Sequence, residues 1–83
     1  MYKIITKSRK AEKQFYQYVD DKLSEKLDVL RENPRGKLGA HKLKGKYKGL
    51  WSCWLASNLR MVYEIDDVNE EIVVFSVGSH KVY

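Results

Sequence analysis

Histidine occurs twice in these 83 residues, at His41 and His80. Arg60 lies between them in sequence and is the only charged residue in the stretch GLWSCWLASNLRMVY, from Gly49 to Tyr63. Imidazole changes charge near neutral pH, so a pair of histidines can serve as general base and general acid. A guanidinium between them can hold the charge that develops on a phosphoryl group. Together these groups meet the requirement for cutting RNA without a metal. One takes the proton from the 2′-OH, a cation stabilises the crowded phosphorane, and another protonates the leaving 5′ oxygen. Each histidine taken alone is more often a surface or hydrogen-bonded residue than a catalytic one. Arg60 also has two explanations. A guanidinium in an apolar strand costs free energy to desolvate unless something pairs with it. Either it sits at an edge and reaches water, or an external phosphate or carboxylate becomes its partner.

The surrounding charge favours an anion. The net charge is +5, and from Asn33 to Tyr63 there is no Asp or Glu. That stretch holds Lys42, Lys44, Lys46 and Lys48, candidates for binding an RNA backbone, together with Arg35 and Lys37. An acid-free basic block is a footprint for a polyanion or an acidic partner protein, and equally the pattern of a solvated lysine-rich loop. The alternating spacing places the four lysines on one side if the segment is extended. Tyr47, Trp51, Trp54 and Tyr83 are aromatic and able to stack on unpaired bases, although burial in a sheet is the simpler expectation for the tryptophans. Two distant histidines and the single Cys53 give no ligand pair at metal-binding spacing, so no metal or cofactor is expected. Cys53 reads as a small packed strand residue rather than a nucleophile.

These residues need a scaffold. Tyr2–Thr6 is a short strand candidate. Ser8 can cap a helix in which Ala11, Phe15 and Tyr18 or Val19 recur at three-to-four spacing. Asp20 and Asp21 begin a second, with Leu23, Leu27 and Leu30 inside and Lys22, Glu25, Lys26 and Asp28 outside. One continuous helix is the alternative. The helix must end near Asn33, because Pro34 disfavours helical geometry in the residue before it. Residues 34–49 read as a loop with four glycines that match no phosphate-loop pattern. Two strands, Leu50–Ala56 and Asn58–Ile65, form a hairpin, and Glu71–Val77 is a continuous apolar strand suited to the sheet centre. The order predicts an α+β fold: an N-terminal strand, two helices packed on one face, and a three-stranded antiparallel meander completing one sheet. The whole length, 1–83, is expected to form one domain. The lone cysteine excludes an intramolecular disulfide framework. No leader pattern opens the chain and no apolar run is long enough for a bilayer, so a cytoplasmic setting away from membranes is expected.

The segments HKLKGKYKGLWSCW, NLRMVYEI and VFSVGSHKVY, in that order, resemble the RelE/ParE superfamily of bacterial toxins, with the YoeB and YafQ branches most similar. The likeness covers the second half well, and the first half agrees in kind. It implies a ribosome-dependent mRNA endonuclease acting in a type II toxin–antitoxin system, with a cognate antitoxin protein, the ribosome and mRNA as partners and no DNA bound by the toxin alone. By the same resemblance Arg60 stabilises the transition state, His80 is the general acid, Tyr83 orients the substrate, and His41 stands near the position of the general base. The sequence departs from many relatives at Trp51, Cys53 and Trp54, where they carry basic residues, and at Asn58, where some carry Asp. Members resembling the ParE branch inhibit gyrase and cut no RNA, which is the alternative; the two histidines with Arg60 argue against it.

Overall fold

The computed structural model describes residues 1–79. The candidates His80 and Tyr83 lie outside the described residues. Strand β1 (Lys3–Thr6) leads into helix α1 (Arg9–Tyr18). The Ser8 hydroxyl accepts a hydrogen bond from Ala11 N at 3.2 Å and so caps α1. The chain does break at the Asp pair. Asp20 accepts from Lys22 N at 3.0 Å and starts a 3₁₀ turn, Asp21–Leu23, which runs into α2 (Ser24–Glu32). α2 stops at Asn33, one residue before Pro34, as the proline requires.

The sheet has five strands rather than four, in the order β1-β5-β4-β3-β2. The additional strand is β2 (His41–Lys42), which pairs antiparallel with β3 (Trp51–Ala56) inside the stretch expected to be loop. β3, β4 (Leu59–Asp66) and β5 (Glu71–Gly78) form the expected antiparallel meander, and Ser57-Asn58 makes the two-residue hairpin turn. β1 joins β5 in parallel, with Ile4 opposite Ile72 and Thr6 opposite Val74.

Both helices pack on one face. Leu30, Cys53, Leu55, Met61, Tyr63, Ile72, Val74 and Val77 form the buried core, with Phe15, Val19, Leu23 and Leu27 packed against it. Each helix also satisfies one backbone group where the ladder is irregular. Between Val62 and Tyr63 the β4–β5 register shifts past Phe75, and Gln14 of α1 accepts from Val77 N at 3.1 Å. Between Trp54 and Ala56 the β3–β4 register shifts, and Lys26 Nζ of α2 donates to Leu55 O at 2.9 Å. Lys26 therefore ties helix to hairpin, where the sequence placed it on the outer face.

The far end of the sheet is held by polar contacts. Asp67, in the β4–β5 turn, accepts two bonds from Arg35, at 3.0 and 2.7 Å, and one from Tyr2 Oη at 2.6 Å. The Arg35 guanidinium, helped by the Tyr2 hydroxyl, holds the Asp67 carboxyl down at about 2. The buried Tyr63 hydroxyl donates to Pro34 O at 2.6 Å, and burial pushes its pKa well above the ordinary phenol value. No helix among the described residues is long and apolar enough to cross a membrane.

Candidate active site

Strand alternation decides which residues can meet. Cys53, Leu55, Met61 and Tyr63 point into the core, so Ser52 and Trp54 on β3, and Arg60 and Val62 on β4, point to the face without helices. His41 pairs with Ser52, Ser52 with Val62, and Val62 with Ser76. His41 and Arg60 therefore share that face, two strands apart and two residues out of line. That is about 10 Å across the sheet and about 7 Å along it at ordinary strand spacings. Arg60 is flanked in register by Trp54 on one side and Gly78 on the other. Gly78 precedes His80 by two positions in sequence.

Arg60 is half-buried, and its guanidinium carbon lies over the Trp54 ring, 4.4 Å from the centroid. Such a contact contributes about 0.5–2 kcal/mol, depending on desolvation. A guanidinium carries five N–H donors in its plane, the fork that binds a phosphate; in Arg60 the Nε end of that fork is buried. The apolar-strand cost raised by the sequence is thus offset in part by an aromatic neighbour. Trp54 was expected to be buried; it is 37% exposed. Its signal was available in the alternation: once Cys53 and Leu55 face the core, Trp54 must face away. Trp51, on the other face, meets the burial expectation halfway and carries Arg35 and Lys42 over its ring.

His41 is exposed, and its Nδ1 lies 3.1 Å from Gly39 O. A carbonyl only accepts, so this bond places the proton on Nδ1 and leaves the lone pair of the neutral ring on Nε2. An imidazole held this way can accept a proton from a group above the sheet.

The four lysines do not form one row. Residues Gly45–Tyr47 make a 3₁₀ turn, which breaks the extended geometry that the one-sided arrangement needed. Lys42, Lys44 and Lys48 line a cavity of about 460 Å³ with Leu43, Leu50 and Trp51. Lys46 stands apart, over the Tyr47 ring at 5.2 Å. All four are exposed. Cys53 is fully buried, and burial pushes its thiol up to about 12, as a packed strand residue requires. Among the described residues no three of His, Cys, Asp and Glu cluster in a way that holds a metal ion.

The same architecture recurs in solved structures. A metal-bound toxin from Helicobacter pylori is 28% identical with a TM-score of 0.73, the match covering 100% of both chains. A conserved hypothetical protein from Helicobacter pylori is 30% identical, with a TM-score of 0.64 over 96% of each chain. The YoeB–YefM complex from Staphylococcus aureus is 24% identical, with a TM-score of 0.69 over 96% of this chain and 98% of that one. No curated protein sequence matches. The model of the family described as the bacterial toxin of type II toxin–antitoxin systems, YafQ, matches residues 2–82. The chain therefore belongs to the YafQ family of type II toxin–antitoxin toxins.

Proposed function

We propose that this toxin is a ribosome-dependent mRNA endonuclease that cuts by attack of the 2′-OH, without a metal. The observation that supports this most is the placement of Arg60 on the helix-free face, over Trp54 and on the same side as the His41 imidazole. In the reaction His41 Nε2 takes the 2′-OH proton as the 2′-O–P bond forms. The Arg60 N–H donors hold the non-bridging oxygens of the phosphorane. His80, as an imidazolium, gives its proton to the 5′ oxygen as the P–O5′ bond breaks, and Tyr83 orients the nucleotide. Lys42, Lys44, Lys46 and Lys48 bind the flanking phosphates. The enzyme works in the cytoplasm, where mRNA and ribosomes are.

An acidic antitoxin segment holds the toxin inactive, ordering as it binds the acid-free surface of residues 33–63. The YoeB of Staphylococcus aureus forms a complex with YefM. The test is a cell-free translation extract with the purified toxin. Synthesis should stop, with mRNA cut within codons and fragments ending in 2′,3′-cyclic or 3′-phosphate and 5′-OH, unaffected by a chelator at fixed ribosome integrity. Fragments bearing 5′-phosphate would make water the nucleophile. Intact mRNA in the extract, together with inhibition of supercoiling by purified gyrase, would move the chain to the gyrase-inhibiting branch.

A further inference from the structure

The loop before β2 meets the His41 imidazole directly and reaches the Arg60 guanidinium through Trp54. Leu38 and Gly39 are consecutive left-handed positions, with φ of 58° and 67°. Only glycine adopts that region freely, and a leucine there is strained. The turn this makes has two consequences. Leu38 O accepts from Trp54 N at 2.8 Å, which joins the loop to β3 beside the register irregularity that follows Trp54. Gly39 O accepts from His41 Nδ1 at 3.1 Å. The bare Cα of Gly39 also faces the Trp54 indole: a Cβ there would stand 3.1 Å from Trp54 Cδ1 and 3.9 Å from Nε1. Trp54 in turn carries Arg60, 4.4 Å from its ring centre.

We propose that the Leu38–Gly39 turn and Trp54 form a positioning device that sets the His41 imidazole and the Arg60 guanidinium relative to each other. Gly39 fixes the tautomer of the first through its carbonyl. It seats the ring under the second through its missing side chain. Strained backbone persists where the surroundings over-determine it, and here both neighbours of the strained pair are site residues. Neither Gly39 nor Trp54 touches the reacting atoms; both act through others. The catalytic part of the inference rests on the cleavage function proposed above.

The test uses the whole toxin in five forms: wild type, Trp54→Leu, Trp54→Phe, Gly39→Ala, and Gly39→Ala combined with Trp54→Phe. The first readout is the Arg60 Nε–H resonance by nitrogen–proton NMR. An indole under a guanidinium shifts that signal by its ring current, independently of any activity. The signal should move to the position of an unstacked arginine in Trp54→Leu, move part of the way in Gly39→Ala, and stay displaced in Trp54→Phe. The second readout is mRNA cleavage on the ribosome. Misplacing a charge stabiliser by about 1 Å lowers turnover by roughly 10- to 100-fold. The loss in Trp54→Leu and Gly39→Ala should fall on kcat with KM little changed. Adding Trp54→Phe to Gly39→Ala should recover part of it, because the smaller ring makes room for the new methyl. An Arg60 resonance unmoved by Trp54→Leu would overturn the proposal, as would a moved resonance with wild-type kcat. If Gly39→Ala does not fold, the two Trp54 variants decide alone. A wild-type protein that cuts no RNA removes the proposed function and leaves the resonances to judge the positioning.

Discussion

Arg60→Ala separates a site residue from a structural one. The substitution removes the contact with the Trp54 ring and leaves the core strands intact, since Met61 and Tyr63 face the opposite side. The lost contact is worth about 0.5–2 kcal/mol, and Trp54 is 37% exposed, which favours the lower half of that range. A loss of about 1 kcal/mol lowers the melting temperature of a domain of this size by roughly 4–8 °C. Against a total stability of about 5–15 kcal/mol, the variant stays folded. Cleavage should respond very differently. Removing one preorganised donor set from a developing oxyanion lowers the rate about 100- to 1000-fold. Arg60→Lys should restore only part of this, because lysine keeps the charge and loses the planar fork. Thermal unfolding followed by circular dichroism, with timed cleavage in the same extract, measures both quantities on one preparation. A destabilisation above about 3 kcal/mol would place Arg60 among the groups that hold the fold, at the scale of a broken buried pair. A folded Arg60→Ala that cuts at the wild-type rate would remove it from the chemistry.

Two further expectations concern the opposite end of the sheet. Tyr63→Phe removes the buried hydroxyl that donates to Pro34 O and leaves that carbonyl unpartnered, so urea unfolding should show a loss of about 1–3 kcal/mol; a change below about 0.5 kcal/mol would mean that water replaces the bond. Asp67 titrates at about 2 in the folded protein and at 3.8 ordinarily, so its contribution to stability is complete above the unfolded value and disappears as pH falls from about 4 towards 2. The melting temperature of the wild type should therefore drop more steeply over that interval than that of Asp67→Asn, which should be the less stable of the two at pH 7; parallel profiles would show that the Arg35–Asp67 pair contributes nothing.

The sequence carries its local periodicities openly. Leu23, Leu27 and Leu30 mark α2, Pro34 marks its end, and the apolar run of β5 marks a central strand. Those features depend on neighbours in the chain. The features missed depend on partners far away. β2 is two exposed residues between glycine-bounded turns, and only its pairing with β3 makes it a strand. The broken lysine row has the same origin, because a 3₁₀ turn at Gly45 costs little in a segment that nothing forces to be extended. At the site, Arg60 announces itself as a charge in an apolar strand. Gly39 does not, since its role lies in a ring contributed from fifteen positions on.

The basic loop is where the two halves of this protein meet. Its beginning belongs to the fold: Pro34 O receives Tyr63 Oη, Arg35 grips Asp67, and Gly36 N donates to the Asn33 side chain at 3.0 Å. Its middle belongs to the site: Leu38 O receives Trp54 N, and Gly39 O receives His41 Nδ1. Trp54 pairs with Arg60 near the start of β4 and Asp67 follows its last residue, Asp66, six residues on and about 20 Å away at strand spacing, so the Leu38–Trp54 and Arg35–Asp67 pins stand towards opposite ends of that strand, with Tyr63 between them. A lysine-rich segment with four glycines looks free in sequence, yet between residues 33 and 41 its backbone is fastened at nearly every second position. That fastening is what a flexible loop lacks when it must present an imidazole to an arginine on another strand. The remainder, residues 42–48, is fastened too, with Leu43 N donating to Leu50 O at 2.9 Å and Lys48 N to Gly45 O at 3.1 Å, but its four lysine side chains are exposed, which suits groups that follow a phosphate backbone rather than fix one phosphorus atom.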